Sequence, residues 1–84
     1  MTSKESPAGK GIANPRYRDL VGQLVAARKS MGLSQAALAA LLNRHQQFVS
    51  RYETGERRLD VVEFVDVARA LGCDPAQMIE PLVS

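Results

Sequence analysis

The stretch Gly32-Leu33-Ser34-Gln35-Ala36-Ala37-Leu38-Ala39-Ala40-Leu41-Leu42-Asn43-Arg44-His45-Gln46-Gln47-Phe48-Val49-Ser50-Arg51-Tyr52-Glu53-Thr54-Gly55 decides the fold. It reads as two short helices joined by a tight turn and followed by a stop. Ser34 suits a cap on the first, because its hydroxyl oxygen can accept an N–H that the first turn leaves without a partner. Asn43 tolerates the left-handed backbone that a tight turn requires. The first helix, Gln35 to Leu42, holds no charge, and Leu38, Ala39 and Leu42 form its inner face. The second, from about His45 to Glu53, anchors through Val49 and Tyr52 and ends near Gly55. Gln46, Gln47, Ser50 and Arg51 are left on faces that the core does not need.

Outward from this pair, the chain reads as further helices. Asn14-Pro15 is a cap followed by proline at the first helical position. Leu20, Leu24 and Met31 recur at helical spacing with Val21 and Val25 beside them, so the first helix of the domain runs from about Pro15 to Met31, where Gly32 stops it. After a basic loop, Glu56-Arg57-Arg58-Leu59, Asp60 and Glu63 form a capping-box pattern that opens a fourth helix. Val61, Phe64, Val65, Ala68 and Leu71 supply its buried stripe, and Gly72 ends it. Asp74-Pro75 starts a short fifth helix carrying Met78, Ile79 and Leu82, which Pro81 closes. No segment alternates like a strand and no repeat is present. The reading is all-α with five helices: a domain over residues 15–84 behind a disordered tail, residues 1–14, rich in Ser, Gly, Pro, Ala and Lys. Lys4 and Lys10 leave open a basic arm in that tail.

At 84 residues the chain has room for one core and little for an enclosed catalytic cavity. The hydrophobic fraction of 45% excludes global disorder, and no run approaches the roughly 18 apolar residues of a membrane span. The first residues have no apolar centre and are not a secretory signal. One cysteine, Cys73, makes no internal disulfide and fits a reducing cytoplasm. With one histidine it leaves no metal-ligand set. Net charge is only +2, but residues 1–58 hold ten Lys/Arg against four acids, +6, and residues 59–84 hold Arg69 against five acids, −4. A basic side suits phosphates and an acidic side avoids them.

Amide and guanidinium groups on a short exposed helix suit the edges of DNA bases in the major groove: Arg pairs with guanine and Gln with adenine. Gln46, Gln47, Ser50 and Arg51 are thus candidate base contacts. Gln35, with its backbone N–H and side-chain amide free at a helix start, is a candidate phosphate contact. Arg57 and Arg58, flexible cations in the loop, and Arg44 in the turn are others. His45 has no nucleophile or carboxylate constellation around it and fits a cap or a phosphate contact, so an enzyme is not expected. Arg28 falls on the apolar face of helix 1, where a charge needs a partner; Glu53 is expected to supply it. Phe48 falls near the exposed side of its helix, open to three roles: a thymine methyl contact, a subunit contact or cover for the core edge.

Together Arg28, Gly32-Leu33-Ser34-Gln35, Leu38-Ala39, Leu42, Val49-Ser50-Arg51, Glu53, Gly55 and Ala68-Arg69-Ala70-Leu71-Gly72 resemble the Cro/C1-type (XRE-like) helix-turn-helix domain of phage repressors and small bacterial regulators. The likeness spans Leu24 to Ile79. It implies a compact five-helix, lambda-repressor-like DNA-binding domain with the helix-turn-helix at helices 2 and 3. It also implies phosphate contact at Gln35, base contact at Gln46, Gln47 and Arg51, the Arg28–Glu53 pair, and a homodimer on palindromic double-stranded DNA. The chain departs from the family's pattern at Asn43, where glycine is usual, at His45, where Ser or Thr is common, and at Leu59, where Pro is frequent. Helix 2 carries Ala36, Ala40 and Leu41 where charges are usual.

The expected function is a cytoplasmic, sequence-specific regulator of transcription, a repressor or autoregulator, needing no cofactor and no small-molecule ligand. Met78, Ile79 and Leu82 are the candidate dimer contact, or else they complete the monomer core. A second reading is a protein-interaction module, an antitoxin or anti-activator, that uses the uncharged helix 2 and the acidic side.

Overall fold

The computed structural model describes residues 14–83, which form five helices: α1 (Pro15–Ser30), α2 (Gln35–Leu41), α3 (Gln46–Thr54), α4 (Val61–Ala70) and α5 (Pro75–Val83). Among these residues there is no strand. The tail expected over residues 1–14 lies outside them except for Asn14, whose side chain accepts the Arg16 amide at 2.8 Å and starts α1.

Local chemistry sets the boundaries. Ser34 accepts the Ala37 amide at 3.0 Å. Asp60 accepts the Glu63 amide at 2.7 Å while the Glu63 carboxylate takes the Asp60 amide at 3.0 Å, the complete capping box. Three helices end in the same closure. Leu33, Arg44 and Cys73 donate to the carbonyls of Arg28, Ala39 and Ala68 at 3.1, 2.9 and 2.9 Å. This is the Schellman motif, with Gly32, Asn43 and Gly72 at its left-handed position. Asn43, at φ 57, does in the α2–α3 turn what glycine does in the other two.

The core gathers Val21 and Leu24 of α1, Leu38 and Ala39 of α2, Phe48, Val49 and Tyr52 of α3, Phe64, Val67 and Ala68 of α4, then Leu71 and Met78. Leu24, Leu38, Val49, Tyr52 and Val67 are wholly buried. Four sequence expectations change here. Met31 is 52% exposed, because it sits at the end of α1 beyond the last turn that packs on α3. Val61 is 78% exposed, because the capping box turns Glu63 inward at the first turn of α4 and leaves Val61 outside. Pro81 does not close α5: the helix runs on to Val83, with Pro81 exposed and the Leu82 carbonyl taken by the Arg16 guanidinium. Met78 is 8% exposed and belongs to the monomer core, so it is unavailable to a partner; Ile79 stays 40% exposed and Leu82 half-buried.

Arg28 is the charge within this core. Its Nε and Nη2 donate to the two carboxylate oxygens of Glu53 at 2.7 and 3.0 Å, and its Nη1 donates to the Leu33 carbonyl at 2.7 Å. Both side chains are under a tenth exposed. The hydrogen bond to Glu53 raises the Arg28 pKa further above its ordinary value against the opposing effect of burial. The pair ties α1 to the end of α3. Glu53→Ala strands a buried guanidinium and is expected to cost about 3–5 kcal/mol. Urea unfolding checks this, and a midpoint equal to that of the unaltered chain would contradict it.

Candidate nucleic-acid interface

The outward face of α3 is built by elimination. Val49 and Tyr52 point into the core, so Gln46, Gln47 and Arg51 are exposed and Ser50 is half-buried at the border. The helix has nine residues, about 13 Å at ~1.5 Å per residue, and can lie in a major groove about 12 Å wide. Among the described residues the Arg51 guanidinium pairs with Glu56, at 3.8 Å and with both side chains more than half exposed. Such a pair is worth little and leaves the guanidinium free to move. The Ser50 hydroxyl donates to the Gln47 carbonyl at 3.3 Å. His45 is exposed at the N-cap of α3, but its side chain makes no capping bond.

The expected phosphate contacts are more constrained than loop cations. Gln35 is the first residue of α2, but its side-chain amide is not free: Nε2 donates to Glu53 Oε1 at 2.9 Å. That carboxylate therefore collects three donors from α1 and α2. Arg57 is not a flexible cation either. Its Nη1 and Nη2 donate to the Glu63 carboxylate at 2.8 and 2.6 Å, and its backbone N–H closes the end of α3 on the Arg51 carbonyl at 3.1 Å. Arg44 donates to the same carboxylate at 3.3 Å. Arg58 lies over the Tyr17 ring, 4.7 Å from its centroid, and the Tyr17 hydroxyl accepts the Leu59 amide at 2.9 Å. Arg44 and Arg57 each keep about two-fifths of their side-chain surface in solvent.

Phe48 explains how the two arginines are held. The helical wheel places it near the exposed side, yet it is only 9% exposed. The turn before α3 and the loop after it fold back over the ring, with the Arg44 and Arg57 guanidinium carbons 4.3 and 5.0 Å from its centroid. Its other contact is edge-to-face with Tyr52, centroids 5.6 Å apart. Of its three open roles, cover for the core edge is the one it performs. Glu63, which sequence reasoning missed as a site residue, is the acceptor of this assembly. The Arg57 hydrogen bonds, helped by the Asp60 amide and both positive charges, hold its pKa at about 2, against the opposing effect of burial. A glutamate at the third position of a capping box signals local engagement. That it also reaches two arginines depends on loop folding.

The Tyr52 hydroxyl is buried and finds no hydrogen-bond partner among the described residues. Burial pushes its pKa up, so it stays protonated as a donor. Among the described residues no three of His, Cys, Asp or Glu come together as a metal site, and no helix is long and apolar enough to cross a membrane.

Two short helices, a left-handed turn between them and an exposed polar face on the second define a helix-turn-helix domain. Residues 24–78 match the helix-turn-helix family. A solved structure described as an XRE-family like protein from Pseudomonas syringae pv. tomato str. DC3000 is 47% identical, spans 93% of this chain and 95% of its own, and superposes with a TM-score of 0.80. No curated protein matches. The chain belongs to the Cro/C1-type, XRE-like family of helix-turn-helix DNA-binding regulators.

Two outcomes follow from this geometry. The folded Glu63 pKa of about 2 lies below the ordinary 4.5, so its contribution is complete above about pH 4.5 and is lost as pH falls toward 2. Glu63→Gln keeps a capping acceptor and should flatten the acid-unfolding curve in that window; an unaltered curve would remove the linkage. Tyr52→Phe deletes a buried donor whose desolvation costs about 1–3 kcal/mol, and thermal melting should show equal or greater stability. A marked drop would mean that the hydroxyl has a partner.

Proposed function

We propose that this chain is a sequence-specific DNA-binding regulator of transcription that acts in the cytoplasm as a homodimer on a palindromic operator, as a repressor or autoregulator, by occupying DNA and without performing chemistry. The observation that carries the reading is the division of α3. Its inner residues are sealed in the core, while the side chains of Gln46, Gln47 and Arg51 are exposed, with Arg51 in no more than a weak pair with the exposed Glu56. In this reading these three, with Ser50 at the border, read base edges.

Gln35, His45, Arg44, Arg57 and Arg58 flank that face as phosphate contacts. Gln35 keeps its second amide hydrogen, and the arginines keep the outer edges of their guanidinium groups. Family membership supports the class of partner, double-stranded DNA. For the dimer contact, Met78 drops out. Ile79 and Leu82 remain, and the exposed Val61 joins them, since Val61 and Ile79 line one groove with Leu20 and Leu59. Dimers of this architecture place half-sites about one helical turn, roughly 34 Å, apart.

Selection of bound duplexes from a random pool tests the reading, with a palindromic consensus as the expected result. On that consensus, Gln46→Ala, Gln47→Ala or Arg51→Ala should each cost about 1–3 kcal/mol and relax preference at one position. Arg58→Gln should weaken all sequences alike and reduce the salt slope by about 1. Ile79→Gln should shift sedimentation toward monomer. An unenriched pool would instead favour a protein-interaction module, for which the uncharged α2 offers Leu41, 61% exposed.

A further inference from the structure

Glu63 is buried in the first turn of α4, yet its carboxylate collects four donors. Oε1 takes Arg57 Nη1 at 2.8 Å and the Asp60 amide at 3.0 Å; Oε2 takes Arg57 Nη2 at 2.6 Å and Arg44 Nη2 at 3.3 Å. A carboxylate has about four lone-pair sites, so this one is saturated. Helix capping accounts for the Asp60 bond alone. The other three bring together two arginines from opposite ends of α3, one in the turn before it and one in the loop after it.

Two guanidinium groups repel each other, and here a shared anion and a shared ring hold them together. The Phe48 ring lies 4.3 and 5.0 Å from their central carbons and fixes where they rest. Two positive charges and one negative leave the assembly with a single surplus charge. Asp66 lines the same small recess but makes an ion pair with neither arginine. Because both Nη2 atoms meet on one carboxylate oxygen, the N–H groups they have left are neighbours. Each arginine keeps about two-fifths of its side-chain surface in solvent. Neighbouring donors with one surplus charge match one phosphodiester, whose free oxygens accept from both.

We infer that Glu63 is a positioning residue for DNA binding: with Phe48 it joins Arg44 and Arg57 into one site for a single backbone phosphate. This rests on the proposed function and sharpens it, since the two arginines otherwise count as two separate phosphate contacts. A fixed pair contributes only when the duplex is seated with that phosphate in place, and such contacts set register. Two free arginines would grip any nearby backbone and strengthen binding to all sequences. Glu63 thus acts on specificity by withholding charge, without touching DNA.

The test measures Kd against salt concentration for the full chain on two duplexes: the consensus from the random-pool selection, and a random sequence of equal length. Circular dichroism checks that each variant is folded at the assay temperature. On the consensus, Arg44→Gln and Arg57→Gln should each lower the salt slope by about 1, and the double variant should lower it no further. Glu63→Gln keeps a capping acceptor and should raise the slope by about 1. It should also tighten the random duplex about fivefold at about 0.15 M salt, so that preference for the consensus falls. In that background the two arginine changes should become additive. A slope and preference unmoved by Glu63→Gln would make the residue structural alone and overturn the inference, as would a double arginine variant that loses two contacts; either result leaves the proposed function standing. If Glu63→Gln does not fold, the additivity of the arginine variants decides by itself. Failure of the unaltered chain to bind either duplex would overturn both.

Discussion

One carboxylate orders this molecule. Glu53, at the end of α3, receives two hydrogen bonds from Arg28 of α1 and one from Gln35 at the start of α2, and Arg28 also reaches the Leu33 carbonyl in the connection between those helices. A guanidinium held this deep must have its donors met, and this placement of the three segments meets them at the Glu53 carboxylate and the Leu33 carbonyl. The group adds little over well-packed apolar side chains in net stability, since desolvating both charges offsets much of their attraction. Its consequence is geometric: α3 is held at one angle and depth against α1 and α2, so the outer residues of α3 project from a fixed platform.

A second carboxylate orders the opposite flank. Glu63 takes the guanidinium groups of Arg57 and Arg44, and the Phe48 ring beneath them makes the group a small stacked assembly at the edge of the core. This changes the meaning of the charge count. Glu63 belongs by sequence to the acidic end of the chain, but in space it sits among the cations of the basic half. Each carboxylate therefore acts on the presentation of α3 from a different side, Glu53 from within and Glu63 from the rim.

What could be read from the chain was local. Asn14, Ser34 and Asp60 cap, Asn43 turns, and Val49 with Tyr52 at a spacing of three face inward, because these outcomes depend on residues within one or two turns. Arg28 was legible for a different reason: a charge on an apolar stripe demands a partner wherever it comes from. Val61 and Arg57 were misplaced, and Phe48 and Met78 were left with open roles, because their surroundings come from segments far along the chain. Phe48 is covered by a loop that returns over it, Met78 by the packing of α5 on α4, and Val61 is displaced outward when Glu63 turns in. Periodicity within a helix gives a face; which neighbour covers that face is a tertiary fact. Pro81 misled for a simpler reason, since the last turn of a helix has few amide bonds left to lose.

The asymmetry of α3 has one more consequence. Gln46 and Gln47 are exposed, and among the described residues the Arg51 side chain pairs with an exposed glutamate, so these side chains carry almost none of the folding free energy. Substitutions there can accumulate without bringing the chain near its unfolding threshold. The scaffold is, in effect, a socket with interchangeable teeth, whose outer face can diverge between descendants while the carboxylate that seats the helix stays as it is.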